Sequence, residues 1–174
     1  SIHDIISYMN KEVDKMQDIE YSILIKDILK NNVFNEINNI EHHGTSRMIH
    51  SKRVSYYSYK ISKVLHLDYI AAARAGLLHD FFLSEKNRNR KQRFKSTFIH
   101  PKKALENSIK HFNINEKEKD IIISHMFPIN IHIPKYAESW LVSLVDKIVG
   151  CYEFLESFSI KHTYVPNLYL LTIL

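Results

Sequence analysis

Cysteine is almost missing from this sequence: Cys151 is the one thiol in 174 residues. A single cysteine excludes an internal disulfide and agrees with a reducing, cytoplasmic setting. It stands in an apolar helical stretch and reads there as a buried, inert side chain. Glycine and proline are also scarce, three and four respectively, so few turns and long helices are expected. No apolar run approaches the ~20 residues needed to span a bilayer. No stretch has the shape of a secretory signal, and no membrane partner is expected. Clean apolar–polar alternation is missing too, which argues against strands of any length. Internal repeats and low-complexity linkers are absent.

What is present points to one helical domain over 1–174. Hydrophobic residues make up 45% of the chain, an ordinary globular share that excludes disordered and fibrous classes. The formal charge is +5, and the basic excess is concentrated at Lys86, Arg88, Arg90, Lys91, Arg93 and Lys95. Two readings of that run stand: a solvated loop, or a collar that draws in phosphate-bearing ligands. No aromatic residue interleaves with it before Phe94, so a base-stacking nucleic-acid platform is poorly supported.

Helical spacing carries most of the chain. Apolar residues recur over 2–30 at Ile5, Met9, Val13, Met16, Ile19, Ile23, Leu24 and Ile28, as one long helix or two short ones. Asn31 and Asn32 read as a stop, and 33–40 as a further helical piece, so N-terminal helices occupy 1–41. The stretch His42-His43-Gly44 is loop-like. Thr45 or Ser46 caps a helix over 46–65 with an apolar stripe of Val54, Tyr57, Ile61, Val64 and Leu65. Asp68 caps a helix over 69–82, where Ala71, Ala72, Ala73, Ala75 and Gly76 allow another helix to approach closely. Residues 84–97 lack clear periodicity, and Pro101 reads as the first position of the next helix. Asn115 and Glu118 form a capping arrangement for a helix reaching His125. Pro128 and Pro134 bracket a loop. A long helix covers about 137–158, and Pro166 breaks the pattern before an apolar tail. The core is expected over 46–160 and the tail over 161–174. Its apolar end and that of 2–9 either pair subunits or pack internally.

Three polar features interrupt these apolar faces. His50 lies one turn before Val54 on the same face, so its ring points into the core. His79 and Asp80 close the alanine-rich helix and project about 100° apart. Asp146 shares a face with Val142 and Val149, where a lone carboxylate would cost several kcal/mol to bury, so it needs a cation, a donor or solvent. Each has an ordinary structural explanation alone. Together they match the way helical bundles build metal sites, with histidine and carboxylate ligands on facing helices.

The segments His50-Ser-Lys-Arg-Val54, Ala75-Gly-Leu-Leu-His79-Asp80 and Leu144-Val-Asp146-Lys resemble the HD superfamily of metal-dependent phosphohydrolases. The similarity covers about 47–153, and the expected fold is an all-α, compact HD-like helical bundle. The resemblance implies that His50, His79, Asp80 and Asp146 hold one metal ion. Some branches add histidines between the pair and the last aspartate. His100 and His125 stand in that interval, so a second ion held by Asp80, His100 and His125 is expected. His132 is a reserve, while His66 and His111 look peripheral. Iron, manganese, nickel or cobalt suit such donors. Two cations about 3.5–4 Å apart would activate water and clamp phosphoryl oxygens. Arg47 and Lys147 lead Arg53 and Arg74 as cations for the substrate, alongside Asp80 in the catalytic set. Many family members follow the pair with glycine and lysine; here Phe81 and Phe82 stand there, as pocket walls or base-stacking surfaces. The Gly-Tyr-Pro pattern of the cyclic-dinucleotide branch is absent.

The leading expectation is therefore a phosphohydrolase acting on a small phosphorylated, nucleotide-like substrate. A non-catalytic metal- or nucleotide-binding module with the same fold is the alternative, and a basic RNA-associated helical protein the third.

Overall fold

A computed structural model describes residues 18–42, 45–83 and 90–171, with side chains over 18–40, 46–83 and 98–157. The N-terminal part is a chain of short pieces: α1 (Ile19–Leu24), α2 (Lys26–Leu29), α3 (Asn32–Asn35) and a 3-10 turn (Glu36–Asn39). Asp18 and Asn31 cap α1 and α3 by accepting from Tyr21 N and Phe34 N. The helix breaks at Ile25, so two short helices replace one long one. The buried anchors are Tyr21, Ile25, Ile28, Phe34 and Ile37, whereas the expected Ile19 and Ile23 face solvent. Residues 2–17 of that pattern lie outside the described residues. A two-residue antiparallel ladder, Glu41–His42 with Thr45–Ser46, clips the entry to the next helix. It is the only strand pairing among the described residues, and the fold class is all-α.

The core is carried by α4 (Arg47–Val64), α5 (Tyr69–Leu78), α6 (Arg90–His111), α7 (Glu116–Ser124) and α8 (Ala137–Leu171). Ser46 and Asp68 cap α4 and α5 as the sequence predicts, and Asn115 with Glu118 completes a reciprocal capping box on α7. The expected α4 stripe is only partly right: Val54 is buried, but Ile61, Val64 and Leu65 are exposed. The buried face instead combines Met48, His50, Tyr56 and Tyr59 with Ser51, Ser55, Ser58 and Ser62. Ser55 meets α5 directly: its hydroxyl donates to the Ala73 carbonyl at 2.6 Å, and a Cβ on Gly76 would lie 3.1 Å from Ser55 Cα. Small residues thus bring two backbones together where hydrophobic periodicity pointed elsewhere.

Gly76→Ala is expected to push α4 from α5, because the obstruction is backbone and has little room to yield. Overpacking of this kind costs about 1–3 kcal/mol, offset in part by the ~1 kcal/mol that alanine gains over glycine in a helix. Urea unfolding should show a net loss of up to about 2 kcal/mol, with an unchanged slope.

Several boundaries differ from expectation. α5 ends at Leu78, leaving His79 as its C-cap and Phe81 and Phe82 beyond it. α6 begins at Arg90 and runs through Pro101, so this proline sits inside the helix and not at its first turn. α8 continues to Leu171, and Pro166 does not interrupt it. Cys151 is exposed, not buried, because it lies on the outward face of α8. Among the described residues no helix is long and apolar enough to cross a membrane.

Candidate metal centre

Five elements converge on one cluster. α4 contributes His50, the end of α5 contributes His79 and Asp80, α6 and the end of α7 contribute His100 and His125, and α8 contributes Asp146. His50, His79, Asp80, His100 and His125 are all buried. The Asp146 side chain retains 14% exposure, the most of the set, and so marks with His100 the side nearest solvent.

Three of the imidazoles share one construction. His79 Nδ1–H donates to the Gly76 carbonyl and His125 Nδ1–H to the Ile122 carbonyl, both at 2.8 Å and both three residues back. His50 Nδ1–H donates to Glu153 Oε2, also at 2.8 Å. Each outward bond leaves Nε2 pointing inward, the arrangement in which outer hydrogen bonds orient metal-binding histidines. Asp146 Oδ1 lies 3.1 Å from His50 Nε2 and 3.5 Å from His79 Nε2. His79 Nε2 is nevertheless a buried nitrogen without a hydrogen bond, an arrangement that costs free energy if nothing else binds there.

Asp80 stands between two donor groups. Its Oδ2 faces His79 Nε2 at 3.9 Å, and its Oδ1 faces His100 Nε2 at 3.4 Å and His125 Nε2 at 3.8 Å. His100 and His125 bring their Nε2 atoms within 3.1 Å of each other. Two imidazoles bound about 2.1 Å from one cation would sit at comparable separation. Three overlapping sets have ligand atoms within 4.8 Å of one another: His50/His79/Asp80, His79/His125/Asp146 and Asp80/His100/His125. The donor set of imidazole nitrogens and carboxylates fits divalent transition metals.

Electrostatics follows from burial and pairing. Burial disfavours the His50 cation, but Asp146 and Glu153 overturn that and raise its pKa to about 10. His79 is also raised, against burial, by Asp80 and Asp146. Burial, reinforced by His79 and His100, drops His125 to about 3, which keeps it neutral. Asp146 is held well below the usual carboxylate range by His50 and His79 despite its burial. Binding of a metal through His50 Nε2 at pH 8 is therefore expected to displace a proton from that nitrogen. Calorimetric titration with Mn²⁺ in buffers of different ionisation enthalpy should give a heat that varies linearly with that enthalpy. Uptake without proton release would contradict this charge assignment.

The basic candidates separate clearly. Arg47 is buried beside the cluster: its Nε lies 4.0 Å from Asp80 Oδ2, its guanidinium carbon stacks 3.8 Å from the Phe82 ring centre, and it donates to the Phe82 carbonyl. Lys147 turns its ammonium to the His125 carbonyl at 2.9 Å and to Ser143, and burial lowers its pKa. It ties the end of α7 to α8. Arg53 pairs with Glu153 at 2.9 Å. Arg74 is away from the cluster, bound to Asp27, Glu118 and the Leu24 carbonyl. His132 and His66 are exposed and join no group of ligands, and His111 packs on Phe81. Phe81 is fully buried against Phe34 and Phe112. Phe82 is covered by Arg47 and lies 5.1 Å from the His100 ring, which leaves little face for a base. Lys86 and Arg88 lie outside the described residues, and Arg90, Lys91, Arg93 and Lys95 fall where only backbone is described.

Glu153 is the residue that sequence reading overlooks. It lies seven positions after Asp146, two turns along the same inner face of α8, and that spacing is the signal that could have found it.

An all-α bundle with buried histidine and aspartate donors converging from five elements defines a candidate metalloprotein. Residues 47–150 match the HD domain family over more than half of the chain, and the protein belongs to that family. HD domains bind divalent metals, and the family lies within the superfamily of metal-dependent phosphohydrolases. No curated protein and no solved structure matches the chain.

Proposed function

We propose that this protein is an HD-type phosphohydrolase that holds two divalent transition-metal ions and cleaves a phosphate ester or anhydride of a small nucleotide-like substrate. In this reading His50, His79, Asp80 and Asp146 hold one ion, and Asp80, His100 and His125 the other. The observation that carries it is the position of Asp80, whose two oxygens face different donor groups across a buried carboxylate. When bound, such ions supply water activation and neutralise charge on phosphoryl oxygens.

The chain's own residues prepare that chemistry. Glu153 and the Gly76 and Ile122 carbonyls fix three imidazole orientations before any ligand arrives. Arg47 brings a buried positive charge within 4.0 Å of Asp80 and is assigned to neutralising developing phosphate charge. The partly exposed Asp146 and His100 mark the direction of substrate approach. Lys147 is assigned to joining helices and not to the substrate.

The test is phosphate release from a panel of nucleoside mono-, di-, tri- and cyclic phosphates, by protein reconstituted with Mn²⁺, Fe²⁺, Co²⁺ or Ni²⁺. The reading predicts metal-dependent turnover that chelator removes and His79→Ala abolishes in folded protein. Turnover that survives His79→Ala would sink the mechanism. Phe82 in place of the lysine seen in many members favours a second reading, a binding module without turnover. Calorimetric nucleotide binding with no product after long incubation would select it.

A further inference from the structure

The outward face of α8 carries a feature that the metal centre does not use. Between positions 140 and 155 every exposed residue is apolar: Trp140, Leu144, Ile148, Cys151, Phe154 and Leu155. The charged residues of this stretch, Asp146, Lys147 and Glu153, all turn inward to His50, to the His125 carbonyl, and to His50 with Arg53. Leu144, Ile148, Cys151 and Leu155 follow one another at intervals of four, three and four, the spacing of a helix–helix seam. Trp140 and Phe154 flank it.

We infer that this face is a homodimer interface, in which α8 packs against α8 of a second copy of the chain. Three arguments choose that occupant. A seam with this spacing is self-complementary, as a two-fold interface requires. The chain carries a net charge of +5, and a face without charge lets two like-charged copies meet without opposing charges. The third argument is area. The five large side chains are 50–61% exposed, on the order of 500 Å² of apolar surface, given ~150–250 Å² for aromatic side chains. Two copies together would bury about 1,000 Å², the lower bound for a specific interface. A patch of about 500 Å² is as large as the largest on a typical monomer, and such patches are often functional. The inner face of the same helix presents Asp146 and Glu153, so dimerisation would brace the element that carries them.

Sedimentation of the full chain tests this. The wild type should be dimeric at micromolar concentration. Leu144→Glu and Ile148→Glu, at exposed positions that leave the helical circular dichroism unchanged, should each weaken association about 100-fold or more, since the two-fold places the new charge in the seam twice. Cys151 is the only cysteine, so a short bis-maleimide can link only two copies; it should yield covalent dimer from wild type and none from Ile148→Glu at equal concentration. If a variant misfolds, wild-type sedimentation and cross-linking decide alone. A wild type that sediments as monomer at about 50 μM would overturn the inference and give this face to another occupant. So would a dimer that is indifferent to both substitutions and does not link through Cys151.

Discussion

Replacing Asp80 with asparagine should lower phosphate release at least about 1,000-fold and reduce bound metal from two ions per chain to one or fewer. Asparagine keeps the size and one oxygen but loses the charge and the second carboxylate donor. Because Asp80 faces His79 through one oxygen and His100 and His125 through the other, the amide can offer an oxygen to only one of the two donor groups. The change is nearly isosteric at a site that is 3% exposed, so circular dichroism should report a folded protein. His132→Ala, at an exposed loop position, should change neither quantity. Retention of full turnover by Asp80→Asn would leave the shared-carboxylate arrangement without a role.

The second large effect is expected at Glu153. Its carboxylate accepts from His50 Nδ1 and from Arg53 at the same time, and it is 2% exposed. Glu153→Ala leaves the partly exposed Arg53 guanidinium, which keeps Glu156 at 3.8 Å, and a buried imidazole N–H without that acceptor, a loss of up to about 3 kcal/mol. Metal affinity should fall a further 10–100-fold because His50 loses its orienting partner. Glu153→Gln separates the two consequences: it can still accept from His50, so it should keep more affinity than alanine while losing the ion pair with Arg53. The pH dependence has a definite sign. His50 and Arg53 hold the Glu153 carboxyl below its ordinary value of 4.5 despite burial. Its contribution is therefore complete above pH 4.5 and disappears as pH falls through the lowered folded value. Urea unfolding across that range should show wild type and Glu153→Ala converging in stability toward acid.

The candidate ligands were legible in the sequence because metal chemistry demands particular residue types at helix faces and ends. His50 before Val54, the His79-Asp80 pair after a small-residue helix, and Asp146 among valines can be read without coordinates, and the structure places all of them together with His100 and His125. Caps were legible for a similar reason: Ser46, Asp68 and Asn115 answer specific orphan N–H groups. Hydrophobic periodicity served less well. On α4 the buried face includes Ser51, Ser55, Ser58 and Ser62, so counting apolar residues selected Ile61, Val64 and Leu65, which are exposed. On α8 apolar residues cover both faces, and Cys151 falls on the outer one, where its neighbours suggested burial. Pro101 can open a helix or sit inside one, and the sequence alone does not choose. Glu153 escaped because it binds a ligand residue and has no motif of its own.

Elemental analysis of the full chain, purified without chelator and then reconstituted with manganese, iron, cobalt or nickel, tests the central claim most directly. Close to two ions per chain, falling to one or fewer in Asp80→Asn, is the result this account predicts. A folded chain that retains no transition metal after reconstitution with any of the four would contradict it.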